Sequence, residues 1–367
     1  MKSRTIVFAG GGTAGHVQPA LAVARTWKIE NPNDRIIFIG TSSGLETSLV
    51  PQSGFELELA TRVRIPRQVS PSVLRVPLQL WRAVSESRRI LKNADLLIGF
   101  GGYVCAPAYI AAAFKKIPIV IHEANAKPGW ANRLGAFFTE FLAVGTPVLA
   151  GKFATALITG IPLRADIAEL LSENRNADEQ TWVERKSSEK KHFGFQPHNP
   201  LVLIIGGSQG SQAINAVVAA TKDEINQKSV SILHAVGGTN ALAPSTEMYK
   251  SVSYIDEMAR AYVAADLVIA RSGAITCSEV RALGKFTIFV PLAIGNGEQM
   301  VNAQDLVERK IATVVSQESF TPRWLIDNIS TMIKQSSAKA AVVDYSDLDA
   351  AKKISALMVH AIENSKG

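Results

Sequence analysis

A chain of 367 residues, 47% hydrophobic and 19% charged, is long enough for two domains with separate cores and too apolar to be disordered. The formal net charge is +7, and it is concentrated: residues 61–92 hold Arg62, Arg64, Arg67, Arg75, Arg82, Arg88, Arg89 and Lys92 against one acid, Glu86, so this segment alone carries a net +7. A localised excess of this kind predicts an anionic partner, and an even spread would not.

In chain order, apolar runs at 5–9, 35–40, 95–100 and 117–122 alternate with helix-compatible segments, and the alternation resumes at 201–206, 231–236, 266–270 and 286–291. Strands alternating with helices predict α/β domains, each a doubly wound parallel sheet of Rossmann-like type. The run at 5–9 is too short for the apolar region of a signal peptide, and 96–114, though uncharged, is interrupted by Gly99, Gly101, Gly102 and Pro107. It predicts a strand, a loop and a helix rather than a membrane span, and a cytosolic setting is expected. The two cysteines, Cys105 and Cys277, have no CxxC or Cys/His metal spacing and read as buried free thiols.

Parts of the first half recur in the second. "TIVFAGGGTAGH" and "LVLIIGGSQGSQ" each run from a strand through a glycine turn into a helix, and "NADLLIGFGGYVCAP" has a counterpart in "AADLVIARSGAITCS". One such repeat predicts two similar domains. The expected boundaries are 1–162 and 163–345, divided near "GIPLRADI", with a helix in 346–367 packing back on the first domain. The polar stretch 172–191 reads as a solvated helix or loop without a chemical role. Asp347-Leu348-Asp349 imitates a metal-binding D-x-D, but Ser346 to Asp349 has capping-box spacing and predicts a helix start instead.

Gly10, Gly12 and Gly15 spell the dinucleotide fingerprint G-x-G-x-x-G, which raises the alternative of a nicotinamide-dependent oxidoreductase. That fold needs an acid at the end of the second strand to hold ribose hydroxyls, and "TSSG" follows residue 40 here. Asp34 lies at the wrong end of that strand, and His16 stands where backbone would meet a pyrophosphate. A P-loop is excluded because no Gly-Lys-Ser/Thr follows. What remains is a glycine turn opening a helix, repeated at Gly206, Gly207 and Gly210 around Ser208 and again at Ser272-Gly273-Ala274. Such turns bring backbone N–H groups and a helix N-terminus toward an anion. Two domains facing a cleft, with these loops at the carboxyl ends of their strands, predict a phosphorylated ligand.

The ordered motifs "GGTAGHVQPALA", "GFGGYVCAP", "HEAN", "GIPLR", "GGSQGSQAIN", "YIDEMARAY", "RSGAITCSE" and "EQMVNA", from about residue 5 to about 315, resemble the MurG family of bacterial glycosyltransferases. The resemblance implies a GT-B fold and an inverting transfer of N-acetylglucosamine from UDP-N-acetylglucosamine to the 4-hydroxyl of undecaprenyl-pyrophosphoryl-N-acetylmuramyl-pentapeptide (lipid I to lipid II) in peptidoglycan synthesis, with no cofactor and no metal site. A related GT-B enzyme using another UDP-sugar or lipid is the nearest alternative. The resemblance makes Ser208, Gln209 and Gly210 the pyrophosphate cradle, sets Ile255 against the uracil and assigns Glu279 to the ribose hydroxyls. Ala274, Ile275 and Thr276 would line the donor, Gln299 would reach its sugar, and Asn125 and Arg164 would close over it. Thr13, Ala14, Gly15 and His16 would lie where donor and acceptor meet, with Tyr103 on the acceptor side. Ala14, Ala124 and Glu298 depart from the commoner residues of the family at their positions.

Inverting transfer needs a base, and His16 is the candidate because imidazole titrates near neutral pH. The competing reading is that His16 only hydrogen-bonds a loop carbonyl or a phosphate. Glu123, beside His122, reads as structural rather than as half of a metal site. The segment 72–91 carries Leu74, Leu78, Trp81 and Val84 at helical spacing beside arginines, which predicts an interfacial helix on anionic lipid at the cytoplasmic face of the membrane; a core-packing helix with a basic face is the alternative. Nucleic acid is not an expected partner, since no stacking platform or binding motif accompanies the arginines.

Overall fold

The computed structural model describes residues 3–63, 76–173, 175–292, 297–337 and 342–365. The chain divides into two compact units, Met1–Arg164 with Asp347–Gly367, and Ala165–Ser346.

The first unit runs β1 (Thr5–Ala9), α1 (Ala14–Glu30), β2 (Arg35–Gly40), α2 (Glu46–Gln52), β3 (Glu56–Leu59), α3 (Val76–Ile90), β4 (Leu96–Gly99), α4 (Cys105–Lys115), β5 (Ile119–Glu123), α5 (Trp130–Gly135), β6 (Leu142–Val144) and β7 (Leu157–Ile158). Its strands pair in the order β3-β2-β1-β4-β5-β6-β7, and every pairing among them is parallel. The central strands are buried on both faces, which explains why they read as continuous apolar runs rather than alternating ones. One face is covered by α3, α4 and their neighbours around Tyr109 and Cys105, the other by α1 around Phe8, Leu21 and Trp27.

The second unit runs α6 (Ala165–Glu173), α7 (Glu179–His192), β8 (Leu201–Ile205), α8 (Gln212–Gln227), β9 (Ser231–Ala235), β10 (Tyr249–Val252), α9 (Met258–Ala264), β11 (Leu267–Ala270), α10 (Ala274–Ala282), β12 (Thr287–Phe289), α11 (Glu298–Glu308), β13 (Ala312–Val314) and α12 (Pro322–Ser337). The sheet order is β10-β9-β8-β11-β12-β13, again parallel. Sequence reading had not picked out β3, β6, β7, β10 and β13. All are two to four residues long, and β3, β7, β10 and β13 are edge strands, where burial imposes the weakest pattern.

The last helix, α13 (Ala350–Asn364), belongs to the first unit: Ile354, Met358, Ala361 and Ile362 join the cluster of Ile6, Phe8 and Trp27. Its start differs from the capping-box expectation. Asp349 occupies the N-cap position, and Ser346 instead donates its N–H to Asp344. Asp347 is buried, and its Oδ1 accepts the Ile161 N–H at 3.1 Å, tying the returning chain to the "GIP" segment.

The stretch 172–191 forms the expected solvated helix over most of its length, but its C-terminal end is tied to the second unit. Within α7, Lys190 and Glu189 are buried; Lys186 and Lys190 both pair with Asp266 at the head of β11, and Glu189 holds Arg260 of α9. Only the end of the helix is packed and ion-paired in this way; most of the segment is exposed. Both cysteines are buried free thiols, and burial pushes the Cys105 thiol up to about 12. Among the described residues, no helix is long and apolar enough to cross a membrane.

Candidate active site

In the first unit the loops that follow β1, β2, β4 and β5 meet at the carboxyl end of the sheet. Thr13 is the N-cap residue of α1, in extended conformation, and Ala14, Gly15 and His16 form the first turn. The His16 ring turns back over the loop it follows. Its Nδ1 lies 3.1 Å from the Gly11 carbonyl and 3.3 Å from the Thr13 hydroxyl. A carbonyl can only accept, so Nδ1 carries the proton and donates, which leaves the lone pair on Nε2. One nitrogen therefore binds a loop carbonyl, as the competing reading expects, and the other keeps its lone pair.

Burial holds the His16 imidazole below the ordinary histidine value, against the pull of Glu123, the Gly11 hydrogen bond and Glu46. At neutral pH the ring is neutral and can accept a proton. Gly101 backs the other edge of the ring: a Cβ there would stand 3.0 Å from His16 Cδ2 and 3.1 Å from Nε2, and Gly101 itself has φ of +99°. Only a residue without a side chain fits that close approach.

Glu123, at the end of β5, is buried and accepts four hydrogen bonds. Its Oε1 takes the Asn125 N–H and side-chain amide at 2.9 and 3.0 Å, and its Oε2 takes the Gly129 N–H and the Asn132 amide at 2.9 and 3.0 Å. Asn132 in turn accepts the Tyr109 hydroxyl at 2.8 Å. Asn125, a predicted donor contact, is thus fixed by the carboxylate two residues before it. His122 points elsewhere, its Nε2 donating to the Gly160 carbonyl at 3.0 Å, and burial pushes it down to about 4. The adjacent pair faces opposite ways, as successive strand residues must, and forms no common ligand set. Tyr103 is exposed, its ring 5.7 Å from the Arg62 guanidinium and 6.5 Å from Trp130. Arg164 ends the first of the two segments that make up this unit.

In the second unit the turn after β8 places Ser208 and Gln209 between Gly207 and Gly210, whose N–H closes the turn on the Gly207 carbonyl at 2.9 Å. Ser211 caps α8 by accepting the Ile214 N–H. Asn240, from the loop after β9, donates to the Gln209 and Val236 carbonyls at 3.2 and 2.8 Å and clamps the turn. Asn240 escaped sequence reading, though it follows "GGT" after a strand, the same signal that marks the other turns. Ile255 is buried just before α9. Ala274, Ile275 and Thr276 open α10 behind Gly273, and Glu279, one turn further, accepts the Tyr262 hydroxyl at 2.9 Å. Gln299 accepts the Leu292 N–H at 2.9 Å. Arg271, also missed, spans the ends of three strands: it donates to the Val290 and Pro291 carbonyls and to Gln317. Each sheet thus gathers its own predicted residues at its carboxyl end.

Two parallel sheets with glycine turns at those ends are the architecture of the two-domain GT-B glycosyltransferases. Residues 6–143 match the glycosyltransferase family 28 N-terminal domain and residues 201–358 match its C-terminal domain. The particular family follows from the relatives. A UDP-N-acetylglucosamine–N-acetylmuramyl-(pentapeptide) pyrophosphoryl-undecaprenol N-acetylglucosamine transferase of Mycolicibacterium vanbaalenii is 38% identical, with 98% of this chain and 91% of that protein covered. The transferase of the same name from Saccharopolyspora erythraea is 42% identical, over 89% of this chain and 85% of its own. Among solved structures, MurG of Acinetobacter baumannii superimposes with a TM-score of 0.65 at 25% identity, covering 98% and 100% of the two chains. A UDP-GlcNAc 2-epimerase from Neisseria meningitidis has the same TM-score at 13% identity, over 98% and 100%, and shares the fold alone. The chain belongs to the MurG family of family 28 glycosyltransferases and is a glycosyltransferase.

Proposed function

We propose that the chain transfers N-acetylglucosamine from UDP-N-acetylglucosamine to the muramyl 4-hydroxyl of undecaprenyl-pyrophosphoryl-N-acetylmuramyl-pentapeptide, with inversion, and that His16 Nε2 takes the proton. The observation that carries the chemistry is the His16 ring, neutral at pH 7, with Nδ1 committed to Gly11 and Nε2 left as its basic atom. On this reading the first unit takes the acceptor and the second the donor. The Ser208–Gly210 turn and the start of α8 receive the pyrophosphate, whose charge departs with UDP and is met by backbone N–H groups and the helix dipole. Glu279, held by Tyr262, takes the ribose. Ile255, Ala274, Ile275, Thr276 and Gln299 line the uracil and sugar, with Asn125 and Arg164 closing over the donor. Thr13, Ala14, Gly15 and Tyr103 border the acceptor.

The reading extends to location. Trp81 and Leu78 of α3 are exposed, with Arg82 and Arg88 beside them, while Ala83 is buried and Val84 packs on the core. Of the expected stripe, Leu74 lies outside the described residues, as do Arg64, Arg67 and Arg75. The exposed apolar and basic side chains support a peripheral attachment to an anionic cytoplasmic membrane face.

The test is release of UDP from UDP-N-acetylglucosamine on addition of a soluble lipid I analogue. Wild type is expected to release UDP only with the acceptor present, and His16→Ala to lose roughly 10²–10⁴-fold in turnover. Acceptor-independent release, or a stronger response to another UDP-sugar, would overturn the assignment. A His16→Ala loss below about tenfold would remove the base role alone.

A further inference from the structure

The sequence shows no acid directly after β2, yet the structure brings one there. Glu46, the first residue of α2, is fully buried and turns back under the first glycine turn. Its Oε2 accepts the Gly12 N–H at 2.8 Å, and its Oε1 accepts both the N–H and the hydroxyl of Thr41, at 2.9 and 3.0 Å. The fit is close: a Cβ on Gly11 would stand 2.7 Å from Oε1. Three donors offset the cost of burying the carboxylate.

The Gly12 N–H and the Gly11 carbonyl belong to one peptide group. That group is trans and planar, so its N–H and C=O point in opposite directions. One end faces Glu46 and the other faces His16 Nδ1. We propose that Glu46 is a positioning residue of the transferase: acting through the Gly11–Gly12 peptide, it forms a carboxylate–peptide–imidazole relay that fixes His16 with its proton on Nδ1 and its lone pair on Nε2. The inference rests on the reading of His16 as the base. A carboxylate on the N–H polarises the amide and makes its carbonyl a better acceptor, as chained hydrogen bonds do. The arrangement does the work of a carboxylate bonded directly to the histidine of a catalytic triad, with a peptide group interposed. The charge also bears on His16 through space, favouring its protonated form. The other ionisable groups on the elements around the ring are Glu123 of β5, Tyr103 of the loop after β4, and Cys105 and Tyr109 of α4. Burial pushes the Cys105 thiol to about 12 and the Tyr109 phenol up as well, so neither changes charge near neutrality.

The experiment combines kinetics and nitrogen NMR of the His16 ring in the full chain. Glu46→Gln leaves three donors facing an amide that is itself partly a donor. It is expected to lower kcat at least about tenfold while the KM for UDP-N-acetylglucosamine stays within about twofold. The ring should show a mixed tautomer, and the acid limb of kcat should move to lower pH. Glu46→Asp keeps the charge and should recover part of the loss. In a His16→Ala background, Glu46→Gln should add nothing, because the two residues act as a unit. Independent losses, or a ring tautomer unchanged in Glu46→Gln, would overturn the proposal. If Glu46→Gln fails to fold, Thr41→Val provides the second variant: by removing one tether of the carboxylate it should shift the tautomer in the same direction, and an unchanged ring would again count against the relay. A wild-type protein without acceptor-dependent UDP release would refute the transferase reading instead, and the tautomer would still decide the relay.

Discussion

At the scale of single residues, the His16 environment makes a directional statement about pH. Burial holds the imidazole below the ordinary histidine value, so at pH 7 the ring is neutral and, on the proposed mechanism, available as the base. The turnover rate should therefore be flat through neutrality and fall in acid with a midpoint below about 6.5. A midpoint above that value would mean that the carboxylates outweigh burial. Gly101 supplies a second test of the same atom. Gly101→Ala sets a methyl against Nε2 and Cδ2 and also strains a backbone at φ of +99°, at a cost on the order of 1 kcal/mol. The expected result is a loss of roughly a hundredfold in kcat with donor KM unchanged, in a protein that melts only a few degrees lower. A fully active Gly101→Ala enzyme would place the basic nitrogen elsewhere.

At the scale of elements, the long central strands were legible because both their faces are buried, and the turns after β1 and β8 because they hold glycines at positive φ. Glu46 and Asn240 were not. Each lies on a different segment from the glycines it fixes, and sequence spacing carries no information about a contact formed between separate segments. The buried end of the charged stretch 172–191 was hidden for a related reason: Lys190 is recognisable as buried only once Asp266 is seen beside it. The helix α13 shows the opposite case, since its amphipathic pattern announced burial and the sequence reading named the first domain as its partner. Met358 is fully buried against the core of the first unit, close to 350 residues from the strand β1 that shares its cluster. Met358→Ala should cost about 2–5 kcal/mol. Hydrogen exchange would show the loss in amides of β1, β4 and α1, with amides of β8 and β11 in the second unit keeping their protection. Equal loss in both units would mean that they unfold as one cooperative body.

At the scale of the whole molecule, the excess of positive charge bears on the proposed membrane attachment rather than on the fold. A net charge of +7 matched by one 32-residue segment creates a local field that counterions screen beyond about 8 Å at physiological salt. Electrostatic attraction to anionic lipid should therefore be salt-sensitive, whereas insertion of an apolar ring should not be. The two contributions can be separated on α3. Arg82→Glu with Arg88→Glu should abolish the preference for anionic over neutral vesicles and flatten the salt dependence, since each arginine near the surface contributes about 1 kcal/mol. Trp81→Ala should weaken binding to both kinds of vesicle by a similar factor and leave the salt dependence intact. All three side chains are exposed on α3, so turnover on a water-soluble acceptor analogue should match wild type, while turnover on an acceptor embedded in anionic vesicles should fall with the binding. If both variants sediment with anionic vesicles as wild type does, α3 is a surface helix and the anionic partner of the basic segment must be sought elsewhere.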